Sequence, residues 1–470
     1  MTRTASSLYP LHDTIAAIAT PSGQGGVGII RISGSAALTI LHTLMTPPNG
    51  SPPSFLPRFM RYGWIRDAAG DKLDEVLAVY MPSPASFTGE DVAEIHCHGG
   101  MGVLAAILEE ICRAGARSAG RGEFTYRAFV NGKYDLPRAE AIAEMIAAPS
   151  RQGVRLAQAK LSGMLGVKIA ELRSGVEDLR ARVALAVDFP EEEAEVLGID
   201  DFSADLAGIE NGIATLLAAY ERARLWREGA LVLLAGRVNM GKSSLLNALL
   251  GRTRAIVSAT PGTTRDFIEE YLDLNGLHVR LVDTAGLRHS DDPVEMEGVA
   301  KALELAGEAS LVVLVTDAAA PLTAEERAFI AQNSDRIFIV RNKLDTLPFA
   351  TQREALSTAF HEGYPASAVS ATTGLGLDAC ATSLRRAILA RENSEEPETG
   401  DATPNARQRE LLACALAEAK HLAQDIASHM ACDLFSVRLD SMAAALDEIT
   451  GFATTDDILG SIFSRFCIGK

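Results

Sequence analysis

The stretch Leu231 to Ser244, LVLLAGRVNMGKSS, constrains this chain more than any other: an apolar run of strand character leads into Gly-x-x-x-x-Gly-Lys-Ser and then into helical sequence. In that arrangement the backbone N–H groups between Gly236 and Ser243 converge on phosphates, and the following helix adds its positive N-terminal end. Lys242 is placed to reach the β- and γ-phosphates, and the Ser243 hydroxyl to ligate Mg²⁺. Asn239, Met240, Gly241 and Ser244 are the loop's remaining candidate nucleotide contacts. Taken alone, the pattern also describes a Gly-rich turn between strand and helix. Further motifs in the right order remove that alternative.

Asp283-Thr284-Ala285-Gly286 follows the strand-like run His278 to Val282 and puts a carboxylate near the Mg²⁺ and a Gly amide near the γ-phosphate. Asn342-Lys343-Leu344-Asp345 follows an Ile-, Phe- and Val-rich stretch, Arg336 to Arg341. The Asp345 carboxylate can accept two hydrogen bonds from guanine N1–H and N2–H₂, a pair that adenine does not offer, so the base preference is for guanine. Ser370-Ala371 is placed for a backbone contact to guanine O6. Between the first two motifs, Gly262-Thr263-Thr264-Arg265-Asp266 has the position of a switch segment, with Thr264 the best match for a Mg²⁺ hydroxyl, and Ser258, Ala259, Thr260 and Pro261 just before it are further candidate nucleotide contacts. Leu287 stands where Ras-like GTPases carry the glutamine that orients the attacking water. Hydrolysis therefore needs another polar group, and Arg288 to Glu297, RHSDDPVEME, offers several carboxylates; most of them also fit a solvated acidic loop.

At 470 residues the chain is too long for one core and implies two to four domains. Residues 1–130 alternate strand-like runs with Gly- and Pro-rich turns around one clear helix near Val103 to Ala114, which reads as α+β. Residues 131–227 are almost wholly helical, with a break at Asp188-Phe189-Pro190, and 228–390 alternate strand and helix as in a mostly parallel sheet with helices on both faces. Residues 391–470 open with a linker-like acidic stretch, Arg391 to Thr403, and continue as two helical stretches, Arg407 to Met430 and Phe435 to Glu448. Two helices are too few for a core of their own, so they are expected to pack on the earlier helical block, with the phosphate-binding domain inserted between.

No apolar run approaches a membrane span and the start lacks a signal peptide's apolar core, which points to a cytoplasmic protein. Six scattered cysteines with no Cys-x-x-Cys pair suggest reduced thiols. A net charge of −17 opposes broad nonspecific contact with nucleic acid, so any RNA contact must be local. Arg113, Arg117, Arg121, Arg127 and Lys133 are one candidate patch, an ordinary solvated face the alternative. Glu94, His96 and His98 alternate on a strand-like segment and could share one face, which also suggests a metal, although Gly99-Gly100 ends the strand.

These residues converge on a family. The chain resembles the bacterial tRNA-modification GTPases of the MnmE, or TrmE, family, essentially from Asp13 to the last residue. The specific segments are Gly28-Ile29-Ile30-Arg31-Ile32-Ser33-Gly34, Ser86-Phe87-Thr88-Gly89-Glu90-Asp91, Arg121-Gly122-Glu123-Phe124, Asn131-Gly132-Lys133 and the terminal Phe466-Cys467-Ile468-Gly469-Lys470. The resemblance implies a multidomain α/β chain: an N-terminal α+β folate-binding domain that pairs with its twin in a homodimer, and a helical domain split by an inserted Ras-like P-loop GTPase domain. It implies K⁺ beside the GTP phosphates, with Asn239 the matching ligand and Ser258, Thr260 and Thr263 supplying further oxygens. The family's catalytic glutamate matches Glu295, with Glu297 the nearby alternative, and Lys242 is the second catalytic candidate. Val238 and Met240 depart from the usual phosphate-loop residues, at positions that need no side-chain contact to phosphate.

Family folate contacts match Arg31, Glu94, Lys133 and Lys470. A carboxylate such as Glu94 can pair with a pteridine's amide-like N–H pattern, while basic groups suit the glutamate tail. Read without the family, Arg31 and Lys133 are surface charges. Cys467 fits either a reactive thiol or a residue that docks the tail. The implied activity is a K⁺- and Mg²⁺-dependent GTPase that works with a flavin-containing MnmG/GidA-type partner. A folate one-carbon unit, as the 5-formyl or 5,10-methylene tetrahydrofolate, then builds a carboxymethylaminomethyl group on the wobble uridine of certain tRNAs. The competing readings are a ribosome-assembly or regulatory GTPase without folate chemistry, and a folate enzyme whose GTPase domain is a passive insert.

Overall fold

The computed structural model describes residues 8–48, 54–189, 198–253, 269–283, 309–392, 394 and 402–470. The chain divides into two compact units, Met1–Ala143 with Lys160–Ile213 and Glu410–Lys470, and Glu144–Ala159 with Ala214–Arg409.

Among the described residues the first unit holds seven strands: β1 (Ile15–Ile18), β2 (Gly25–Ser33), β3 (Met45–Thr46), β4 (Arg61–Arg66), β5 (Lys72–Met81), β6 (Val92–Gly99) and β7 (Arg117–Ser118). They form one sheet in the order β3-β4-β5-β6-β2-β1-β7, antiparallel except for the parallel pair of β1 and β7. Alternation decides which side chains are covered. Ile30, Ile32, Val76, Ala78, Ala93 and Ile95 are buried in one core with Ile40 and Leu41 of the helix Ala37–Leu44 and Leu104, Ile107 and Ile111 of the helix Met101–Arg113. The last three recur at helical spacing and make one apolar stripe. Arg31, Glu94 and His96 fall between the buried positions and so project from the opposite face of the sheet.

Of the C-terminal helices Ala406–Ala427 and Asp433–Thr450, the second packs on the helix Met164–Asp188. Ion pairs Arg173–Asp447 at 2.8 Å and Arg180–Asp440 at 2.6 Å lie along that seam. A third C-terminal helix, Asp456–Ser464, is not foreshadowed by the sequence pattern. It is nine residues long with Gly460 inside, too short and too weak in intrinsic propensity to declare itself. Burial of Leu459, Ile462 and Phe463 in a cluster with Tyr126, Leu136 and Phe466 holds it.

The second unit carries β8 (Ala230–Ala235), β9 (Glu269–Leu274), β10 (Leu277–Asp283), β11 (Leu311–Asp317), β12 (Ile337–Asn342), β13 (Phe360–His361) and β14 (Tyr364–Ala368), in the order β13-β14-β12-β11-β8-β10-β9. The five inner strands are parallel, and β9 and β13 close the edges antiparallel. All six residues of β8 are buried, the signature of a strand covered on both faces. Val232 and Leu234 join Leu245, Leu249, Leu384 and Ile388 on one side, while Leu231 and Leu233 join Ile330 on the other. Such a sheet presents its ligand site beyond the carboxyl ends of the strands, where the sequence motifs fall.

Candidate nucleotide and folate sites

The phosphate loop leaves β8 through three residues of positive φ, Gly236 at 143°, Asn239 at 64° and Gly241 at 86°. Asparagine tolerates that region; at Gly241 the demand is also one of space, because a Cβ would lie 2.3 Å from Asn342 Nδ2. That approach has a purpose. The buried Asn342 amide donates from Nδ2 to the Met240 carbonyl at 2.9 Å and accepts the Ala371 N–H at Oδ1 at 3.0 Å. One side chain thus ties the phosphate loop to the Ser370-Ala371 loop.

Lys242 is buried, and its ammonium donates to the carbonyls of Gly236 at 2.6 Å and Arg237 at 3.0 Å. The Ser370 hydroxyl donates to Asp345 Oδ1 at 2.5 Å, which fixes one carboxylate oxygen of an otherwise exposed side chain. Asn239, Lys242 and Ser243 line one cleft of about 590 Å³ together with Lys343, Asp345 and Ala371, as do Gly241 and Ser244. The backbone of Asp283 pairs with Leu234 of β8, at the strand end that feeds the phosphate loop. Ser258, Ala259, Thr260, Pro261, Gly262, Thr263, Thr264, Thr284, Ala285, Gly286, Leu287, Glu295 and Glu297 lie outside the described residues, as does the Asp283 side chain.

Sequence reasoning passes over Asp317, the last residue of β11. Its carboxylate accepts the Ala319 N–H at 2.9 Å and the Lys343 ammonium at 3.0 Å. The available signal is position: like Asp283 and Asn342, it ends an inner parallel strand on the ligand side of the sheet.

In the first unit, Arg31 and Glu94 face each other across β2 and β6 and pair at 2.9 Å. The Arg31 guanidinium also lies 5.2 Å from the Phe87 ring and 3.5 Å from the Gly469 carbonyl. Gly469 reaches that position because it has no Cβ, which would stand 2.4 Å from the Ile18 carbonyl oxygen. Burial, and then the charge of Arg31, pushes the Lys470 ammonium below the ordinary lysine range. Lys133 donates to the carbonyls of Pro84, at 3.3 Å, and Ser86, in the loop that leads into Phe87. Arg31, Glu94 and Lys470 therefore cluster, and Lys133 braces the loop beside them.

Three readings that the sequence leaves open can be placed on the structure. His98 pairs with Asp74 at 2.6 Å and Glu94 with Arg31, and among the described residues no three His, Cys, Asp or Glu side chains converge as metal ligands. Three of the five residues of the candidate RNA patch pair with carboxylates, and two of those carboxylates, Asp13 and Glu90, are remote in sequence. Arg113 pairs with Glu109 and Glu110, Arg117 with Asp13 and Glu123, and the fully buried Arg127 with Asp13, Glu90 and Glu123. Cys467 is exposed, and its backbone carbonyl accepts the Gly122 N–H at 3.4 Å, so the tail's contact there is made by backbone.

A parallel sheet carrying a phosphate loop, with Asn342, Lys343 and Asp345 on the same cleft, defines a P-loop GTPase, a GTP-binding hydrolase of the Ras-like class. Residues 14–133 match the model of the GTP-binding protein TrmE N-terminus, and residues 136–467 that of the MnmE helical domain. The chain is 52% identical to the tRNA modification GTPase MnmE of Nitratidesulfovibrio vulgaris strain DP4, over 97% of this chain and 99% of that protein. It is 45% identical to the protein of that name from Lawsonia intracellularis, over 97% of this chain and 100% of that one. Among solved structures it is similar to the G domain of the T. maritima FeoB iron transporter, with 27% identity, a TM-score of 0.24, and coverage of 34% of this chain and 98% of that one. The chain belongs to the MnmE family of tRNA modification GTPases.

Proposed function

We propose that this chain is a K⁺- and Mg²⁺-dependent GTPase that acts on tRNA in the cytoplasm. Together with a flavin-containing MnmG/GidA-type partner, it adds a carboxymethylaminomethyl group to C5 of the wobble uridine, using a one-carbon unit from 5-formyl or 5,10-methylene tetrahydrofolate. The observation that carries this reading over a ribosome-assembly GTPase is the C-terminal tail: Gly469 seats its carbonyl on Arg31, beside Glu94 and Lys470. A generic GTPase has no use for that cluster, whereas a pteridine and a glutamate tail need its mix of carboxylate and cations. Binding of 5-formyl tetrahydrofolate to the purified chain separates the two readings. A homodimer through the N-terminal domain is part of the same proposal.

In the nucleotide cleft, the loop N–H groups and Lys242 hold the β- and γ-phosphates, and Ser243 and Thr264 would hold Mg²⁺. The donor set suits the ion: hydroxyl oxygens beside a phosphate, with Asp283 ending the adjacent strand. Asn239, left-handed and on the cleft, offers K⁺ an amide oxygen, with Ser258, Thr260 and Thr263 as further ligands; the ion supplies the positive charge that an arginine finger supplies elsewhere. Glu295 orients the attacking water in place of the glutamine that Leu287 excludes. GTP state and hydrolysis then switch the domain between conformations.

GTP hydrolysis is expected to be substantial in K⁺ and weak in Na⁺, a smaller ion that fits the same oxygen cage poorly. Asn239→Ala should abolish the difference. Equal wild-type rates in the two salts would contradict the assigned cage.

A further inference from the structure

Lys343 is a non-glycine residue in the left-handed region, at φ 64° and ψ 36°, where the strand β12 turns into the short 3₁₀ segment Leu344–Thr346 that carries Asp345. Such a conformation is strained for a residue with a side chain and persists only where its surroundings hold it. The surroundings here are the turn after β11. The Asp317 carboxylate accepts the Ala319 N–H at Oδ1 and the Lys343 ammonium at Oδ2, 3.0 Å away. The same turn grips the two preceding residues: the Ala318 N–H donates to the Asn342 carbonyl at 2.8 Å, and Arg341 donates to the Ala318 carbonyl at 2.8 Å. The Ala319 N–H, and then Lys343, hold the Asp317 carboxyl below the usual carboxylate range, so it stays ionised as the partner of the lysine.

We propose that Asp317 is a positioning residue for guanine-nucleotide recognition, which it serves by fixing the Lys343 side chain along the wall of the cleft beside Asp345. Asp317 does not line the cleft; Lys343 does. This rests on the reading of Asn342 to Asp345 as the base-recognition segment. A side chain pinned at its ammonium presents its alkyl stem as a fixed wall for a planar base. A free one would spend rotamer entropy on each binding event.

The test is a double-mutant cycle on GDP and GTP affinity in the full chain, with Asp317→Ala, Lys343→Met and both together, and Asp345→Asn run as a control. Asp317→Ala is expected to weaken GDP binding about tenfold, with kcat at saturating GTP unchanged. The same change made in the Lys343→Met background should have little further effect, because the two residues act as one unit. Asp317→Asn keeps an acceptor for Ala319 but loses the ion pair; it should weaken binding like Asp317→Ala, which a purely structural turn would not. Additive effects of Asp317→Ala and Lys343→Met, or wild-type affinity in both Asp317 variants, would overturn the proposal. A loss of base discrimination in Asp345→Asn alongside such additivity confines the failure to Asp317. Unchanged discrimination in Asp345→Asn overturns the base-recognition reading and this proposal with it.

Discussion

Asp345→Asn is expected to weaken GTP binding by at least a hundredfold, about 3 kcal/mol, while XTP binding strengthens. The carboxylate is placed to accept from two guanine N–H groups at once, and each hydrogen bond to a charged group contributes about 1.5–3 kcal/mol. An amide supplies one acceptor and one donor, a pattern that suits xanthine, whose C2 carbonyl replaces the guanine amine. Because Asp345 is exposed, water softens the cost of the lost pair, which sets the estimate near the low end for two charged bonds. The Ser370 hydroxyl that already holds Oδ1 can serve an asparagine as well, so the loop should keep its shape. Isothermal titration with GDP, GTP and XTP checks this, and unchanged GTP affinity would mean that Asp345 does not read the base.

Glu295→Ala should slow GTP hydrolysis by roughly a hundredfold or more with GTP affinity nearly intact, since a group that orients the attacking water acts mainly in the transition state. The motivation is the leucine at 287, which cannot orient water, together with the family match of Glu295. Glu297→Ala is the control and should behave like wild type. Equal losses in the two variants would assign the effect to the acidic loop as a whole. A wild-type rate in Glu295→Ala would move the water-orienting group to another segment or to the partner subunit.

The nucleotide cleft is legible in the sequence because its parts are local. Each motif follows a strand whose apolar run announces it, so the residues alone place the phosphate loop after β8 and the Asn342 to Asp345 segment after β12. What those segments do to each other is not legible. The Asn342 bridge to Met240 and Ala371 joins residues 102 and 29 positions away, and the Asp317–Lys343 pair spans 26. No periodicity encodes such pairings. The same blindness makes Arg117 and Arg127 look like part of an RNA-binding patch, because Asp13, which pairs with both, and Glu90, which pairs with the second, reach them only through the fold. For Arg31, Glu94 and Lys470, strand alternation puts the first two on one sheet face. Only tertiary packing, through the bare Cα of Gly469, brings the last residue beside them.

The central claim is that this GTPase serves wobble-uridine modification, and nucleoside analysis of tRNA from cells lacking the protein tests it most directly. The account predicts that the carboxymethylaminomethyl group disappears from the wobble uridines and returns when the intact gene, but not its Glu295→Ala form, is supplied. Wobble uridines unchanged by loss of the protein would contradict it.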